Sequence, residues 1–131
     1  MIIDTSVLLT VLLQEPEAAR LTHAMIVATT RLMSVASALE AEIVIQNRLG
    51  DEGARDLDLL LLSLRLTLVP VTERQLTIAR RAYRHYGKGQ HHPAGLNFGD
   101  LFAYALAKET GEPLLFKGND FAHTDIAIAP Y

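Results

Sequence analysis

The sequence predicts an α/β fold: a parallel sheet covered by helices on both faces. Three observations carry this. Short apolar runs alternate with longer helical stretches, the pattern of βαβ units. No repeat and no linker interrupts the 131 residues, a length that suits one compact domain spanning 1–131. Half of the residues are hydrophobic and 21% are charged, a composition that supports a core rather than a disordered chain.

The elements follow in order. Met1–Asp4 is a short apolar run ending in an acid and is assigned as the first strand. Thr5–Leu13 is rich in Val and Leu and is a helix. Glu15-Pro16-Glu17 opens a second helix, with proline in its first turn and acids at its positive end. Arg31–Val35 is the second strand. A helix from Ala36 to Leu49 stops at Gly50, and a Leu-rich helix covers Asp51–Arg65 with Leu57, Leu60, Leu61 and Leu64 on its core side. Leu66–Val71 alternates as a strand. Thr72 caps a helix to Tyr86, closed by Gly87. Lys88–Leu96, with two glycines, two histidines and Pro93, is a loop. Asn97–Thr110 is a helix stopped by Gly111, Pro113–Phe116 a buried strand, Gly118–His123 a turn, and Ile126–Ala129 a last edge strand.

Bulk properties exclude several function classes. Without cysteine there is no disulfide, thiolate–metal site or cysteine nucleophile, in keeping with a cytoplasmic protein. The N-terminus lacks the basic and long apolar segments of a signal peptide, and Leu59–Leu62 is too short to span a bilayer. The net charge of −3 argues against a nucleic-acid partner when taken alone. From Thr72 to His92, however, Arg74, Arg80, Arg81, Arg84 and Lys88 face only Glu73, with His85, His91 and His92 besides. Such a basic stretch holds phosphates even on an acidic protein.

Four acids stand out by position. Asp4 ends the first strand, where parallel sheets keep their ligand sites; its plainer use is as a helix N-cap, a task that Thr5 or Ser6 is also able to perform. Glu40 shares a helical face with Ala36, Ile43, Val44 and Asn47, an apolar setting that is costly for an unpartnered carboxylate. Glu42 lies about 200° away around the helix. Asp100 follows Asn97 at capping-box spacing, yet shares a face with Ala103, Tyr104 and Ala107. Asp120 lies in Gly118-Asn119-Asp120-Phe121, just past a strand, where a turn aspartate is the ordinary reading; Asp125 is the less favoured substitute. Each acid alone is weak. Gathered at one sheet edge, several carboxylates require a cation to neutralise them. Oxygen-only ligands favour Mg²⁺ or Mn²⁺, which polarise a phosphodiester and activate a water.

The segments Met-Ile-Ile-Asp-Thr-Ser, Ser-Ala-Leu-Glu-Ala-Glu-Ile-Val-Ile, Gly-Leu-Asn-Phe-Gly-Asp-Leu-Phe-Ala-Tyr-Ala-Leu-Ala-Lys and Pro-Leu-Leu-Phe-Lys-Gly-Asn-Asp-Phe resemble the VapC toxins of the PIN-domain family, in order and over nearly the whole chain. The resemblance implies a three-layer α/β/α sandwich, the family's acids at Asp4, Glu40, Asp100 and Asp120, and support from Thr5, Ser6 and Asn97. It further implies Mg²⁺- or Mn²⁺-dependent cleavage of RNA, a homodimer, inhibition by a VapB-type antitoxin, and contact with operator DNA only through that antitoxin. Many relatives carry an acid where Asn119 stands, which makes Asp120 the main ligand there and any second metal weakly held.

The expected chemistry is hydrolysis, with Asp4, Asp100 and Asp120 on the metal and Glu40 either completing the shell or orienting water. Arg80, Arg84 and Lys88 fall at helical spacing suited to an RNA backbone, although the arginines are equally placed to pair with acids. Tyr83 and Tyr86 are assigned to core packing before base stacking, and His91-His92 to a flexible tip before a metal. Two other classes compete. A phosphotransfer domain would use Asp4 as nucleophile, but no second Asp follows two residues on. A catalytically silent antitoxin-binding protein leaves Glu40 unexplained.

Overall fold

The computed structural model describes all of residues 1–131. Its elements are β1 (Ile2–Ile3), α1 (Thr5–Leu12), α2 (Ala18–Val27), β2 (Leu32–Ser34), α3 (Val35–Ser63), β3 (Thr67–Val69), α4 (Glu73–Tyr86), α5 (Asp100–Thr110) and β4 (Leu114–Leu115). The four strands pair in parallel in the order β3-β2-β1-β4.

Adjacent residues on each strand point to opposite faces, and this alternation builds the layers. Ile3, Met33 and Leu115 pack with Val7, Leu8, Leu21, Met25, Ala41 and Leu57 of α1, α2 and α3. Ile2, Leu32 and Leu114 face Ala82, Leu96, Ala103, Tyr104 and Ala107, on α4, α5 and the loop between them. The result is a three-layer α/β/α sandwich. Burying one such aliphatic side chain contributes about 1.5–3 kcal/mol. These two faces, rather than strands of two or three residues, therefore hold the layers together.

Several boundaries move for local reasons. The second helix starts at Ala18, not at Pro16; Glu15 and Glu17 are engaged elsewhere, and no side chain caps the first turn. The two helices flanking Gly50 form one element broken at that residue, whose φ of 67° and ψ of −157° are open to glycine and strained for other residues. The helix predicted from Asn97 begins at Asp100, because Asn97 and Asp100 are spent on capping. Of the predicted edge strand Ile126–Ala129, a single parallel bridge from Ile128 to Leu114 forms. Thr72 caps α4 through its hydroxyl, which accepts from the Gln75 amide at 3.2 Å. Of the predicted stripe, Leu57 and Leu64 are buried, and Leu60 and Leu61 are partly buried against the same core.

β1 lies centrally, with β2 on one side and β4 on the other. The connection after β1 leads to β2, whereas β4 arrives from the far side. The strand order thus reverses between β1 and β4, the place in a parallel sheet whose carboxyl edge usually holds the ligand.

Candidate active site

Asp4 follows β1 directly and is buried at 6% exposure. It is an N-cap as well as a site residue: Oδ2 accepts from the Ser6 amide at 3.0 Å and from the Ser6 hydroxyl at 2.6 Å. The alternative of Thr5 or Ser6 as the cap is therefore corrected. Ser6 supports Asp4, and its Oγ also accepts from the Lys117 amide at 2.9 Å. One serine thus links the end of β1 to the end of β4.

Thr5 reaches the other way. Its hydroxyl donates to Glu40 Oε2 at 2.8 Å, with the Ser37 carbonyl 3.1 Å away as the second acceptor. Glu40 is half-buried on α3, and its neighbours need correction. The stripe of Ala36, Ile43 and Val44 lines an open groove with Leu39, Phe98 and Phe102, while the core side of α3 is Ser37, Ala41 and Ile45. Glu40 sits at the rim of that groove and against Gly99; a Cβ there would come within 2.8 Å of its Cδ. Gly99 was not singled out in the sequence, because nothing in Asn-Phe-Gly-Asp reveals that a distant carboxylate approaches it.

Asp100 begins α5 in a reciprocal capping box. The Asn97 amide donates to Asp100 Oδ2 at 2.8 Å, and the Asp100 amide donates to Asn97 Oδ1 at 3.0 Å. Capping and site placement coexist, since α5 points its N-terminus at the cleft. Asp120 is exposed, two residues after the positive-φ Gly118 and in the turn that follows β4.

Electrostatics tie the four acids together. Burial pushes the Asp100 carboxyl up to about 7; the Asn97 amide pulls it down, and the charges of Asp4, Asp120 and Glu40 push it further up. Burial likewise raises Asp4, opposed by the Ser6 hydrogen bonds and reinforced by Glu40. None of the four carboxylates forms a salt bridge. Asp4, Glu40 and Asp120 are therefore near enough to Asp100 to act on its charge, and no cationic side chain is paired to any of the four. No three His, Asp or Glu side chains stand as a ready-made metal cage. The donor set is all oxygen and carries no paired cation, a chemistry that suits hard divalent ions such as Mg²⁺ or Mn²⁺.

The basic residues lie elsewhere. Arg80 and Arg84 line an apolar groove with Leu76, Tyr83, Phe98 and Phe102, and neither pairs with an acid. Lys88 is exposed beyond α4. Tyr86 packs on the core as predicted, whereas Tyr83 is exposed. His92 is not a loose tip: its ring packs edge-on to Tyr86 at 4.9 Å and accepts from the Ala94 amide at Nδ1.

A cleft of acids at the carboxyl edge of such a sheet defines the PIN class, and the PIN-domain family model matches residues 1–127. Ribonuclease VapC30 of Mycobacterium tuberculosis is 54% identical over 127 residues, covering 97% of this chain and 96% of that protein. The chain belongs to the VapC ribonucleases of the PIN-domain family. Among solved structures, Mycobacterium tuberculosis VapC20, described as a sarcin-ricin loop cleaving toxin, superposes with a TM-score of 0.75 at 16% identity, covering 98% of each chain. A toxin–antitoxin complex from Klebsiella pneumoniae gives 0.73 at 17% identity, covering 99% of this chain and 97% of that one. At such identities these two establish the fold alone.

Proposed function

We propose that this chain, acting as one domain, is a Mg²⁺- or Mn²⁺-dependent endoribonuclease and the toxin of a toxin–antitoxin pair. The observation that supports the metal site is that Asp4, Glu40 and Asp120 stand near enough to Asp100 to act on its charge while no cationic side chain pairs with any of the four. Asp4, Asp100 and Asp120 hold the ion, directly or through water, and Glu40 completes the shell or orients the attacking water. The bound ion supplies Lewis-acid polarisation of the phosphodiester and a more acidic water. Ser6 fixes Asp4, Thr5 fixes Glu40, and Asn97 fixes Asp100, so the ligands are held by groups that spend no charge of their own.

Family membership supports RNA as the substrate and a VapB-type antitoxin as the partner, with operator DNA reached only through that antitoxin. Arg80, Arg84 and Lys88 contribute phosphate contacts. The groove lined by Leu39, Ile43, Phe98 and Phe102 supports a homodimer that covers this apolar face and leaves the Arg80 and Arg84 side of α4 open to RNA. TM-length apolar helices are lacking: no helix is long and apolar enough to cross a membrane.

The test is incubation of purified protein with total RNA, with and without Mg²⁺ or Mn²⁺, followed by mapping of new 5′ ends. Metal-dependent cuts that vanish in Asp4→Asn and Asp100→Asn are expected. Cleavage that persists in both variants, or in chelator, would overturn the proposal.

A further inference from the structure

Lys117 lies just beyond β4, three residues before Asp120. Its amide donates to Ser6 Oγ at 2.9 Å, and that hydroxyl donates to Asp4 Oδ2 at 2.6 Å. The Lys117 backbone is thus two hydrogen bonds from a carboxylate oxygen of the cleft. That distance is within reach of a flexible four-carbon stem carrying a point charge. Two sets of acceptors compete for the ammonium: the cleft carboxylates, and the acids of the α1–α2 connection.

The structure shows which set holds it. Lys117 Nζ pairs with Glu15 Oε2 and stands 3.1 Å from Glu17 Oε2, an ion-pair contact. Glu15 is itself anchored. Its amide donates to the Thr10 carbonyl at 3.0 Å, and the buried Thr10 hydroxyl donates to Glu15 Oε2 at 3.3 Å. The Lys117 contacts hold both glutamates below their usual carboxylate range and raise the lysine. A partly exposed pair of this kind adds little to folding, so its consequence lies in where it parks a positive charge.

We propose that Glu15 and Glu17 are positioning residues that hold the Lys117 ammonium out of the carboxylate cleft, leaving the cleft's negative charge to a divalent cation. This rests on the metal reading above. An ammonium beside Asp4 or Asp120 relieves the same repulsion that a metal relieves, and so competes with it. Released from its glutamates, Lys117 becomes an internal competitor of the ion.

Mn²⁺ titration by calorimetry tests this on four proteins: wild type, Lys117→Met, Glu15→Gln/Glu17→Gln, and the triple variant. The glutamate double variant is expected to bind Mn²⁺ about tenfold more weakly, and Lys117→Met to recover about tenfold in that background while changing wild-type affinity less than about twofold. This non-additivity separates a competing ammonium from simple charge loss, which shifts affinity equally in both backgrounds. Equal effects of Lys117→Met in the two backgrounds overturn the proposal. So does wild-type affinity in the double variant, or a triple variant as weak as the double. A wild type that binds no Mn²⁺ instead sinks the metal reading itself.

Discussion

Asn97 and Asp100 each satisfy the other's backbone amide, at 3.0 and 2.8 Å, while Asp100 also faces Asp4, Asp120 and Glu40. The same side chain therefore ends a loop, starts a helix and enters the acidic cleft. Asn97→Ala removes the acceptor for the Asp100 amide. It is expected to cost about 1 kcal/mol of stability, or about 4 °C in melting temperature. RNA cleavage should fall further than that loss explains, because the first turn of α5 that carries Asp100 loses its side-chain anchor, even though the residue-97 amide still donates to the Asp100 carboxylate. Paired melting curves and single-turnover cleavage rates check this; an unchanged rate with a lowered melting point would leave Asn97 only a structural role.

The elevated Asp100 carboxyl makes a prediction about pH. Its ordinary value is 3.8 and its folded value about 7, raised chiefly by burial. The folded chain therefore holds this proton where the unfolded chain has lost it. The associated stability is complete below about 3.8 and is lost as pH rises through about 7. Without divalent ions, the melting temperature should decline over that window more steeply than in Asp100→Asn. Mn²⁺ needs the ionised form, so its affinity should rise with pH through about 7 and binding should release a proton. Calorimetry in buffers of different ionisation enthalpy measures that release, and its absence would contradict the assignment.

Gly99→Ala tests how Glu40 is placed. The added methyl would meet the Glu40 carboxylate, whose Cδ stands 2.8 Å from the Cβ position. The neighbour is the end of a flexible side chain, so the fold accommodates the change and Glu40 moves instead. The expectation is a melting temperature within about 4 °C of wild type, equivalent to about 1 kcal/mol, with cleavage reduced at least as much as by removing the Thr5 hydroxyl in Thr5→Val. Wild-type cleavage by Gly99→Ala would show that Glu40 has no exacting position to keep.

Much of this was legible because the fold is written in short-range patterns. Apolar runs, Thr72, Gly50 and Gly111 mark the elements, and Asp4 and Asp120 come after β1 and β4 in the chain. What stayed hidden depends on distance along the chain. Position alone leaves Asp4 either cap or site residue, and in the fold it caps α1 through Oδ2 while its charge also acts on Asp100. Periodicity put Glu40 on an apolar stripe but gave no sign that the stripe faces a groove rather than the core. The Glu15–Lys117 pair spans 102 residues, and local sequence offers only acids near a helix start. Spacing alone gives Arg80 and Arg84 a backbone-tracking face but not the apolar groove that they line in the fold.

The neighbouring groove, lined by Leu39, Ile43, Phe98 and Phe102, supplies the last prediction. Phe98 is 78% exposed, packs edge-on to Phe102 at 5.0 Å, and belongs to both apolar grooves, with Leu39, Ile43 and Leu76 also exposed along them. An aromatic ring held this far into water at the rim of Glu40 is expensive unless a partner covers it. If a second copy does so about a twofold axis, each ring is buried once, and the two together contribute about 3–6 kcal/mol to association. Phe98→Glu should then weaken the dimer by a factor of about 10²–10⁴ while leaving the monomer folded, because the side chain touches little of the core. Light scattering across a concentration series reads this directly. A variant that stays dimeric at wild-type concentrations would place the dimer contact on another face.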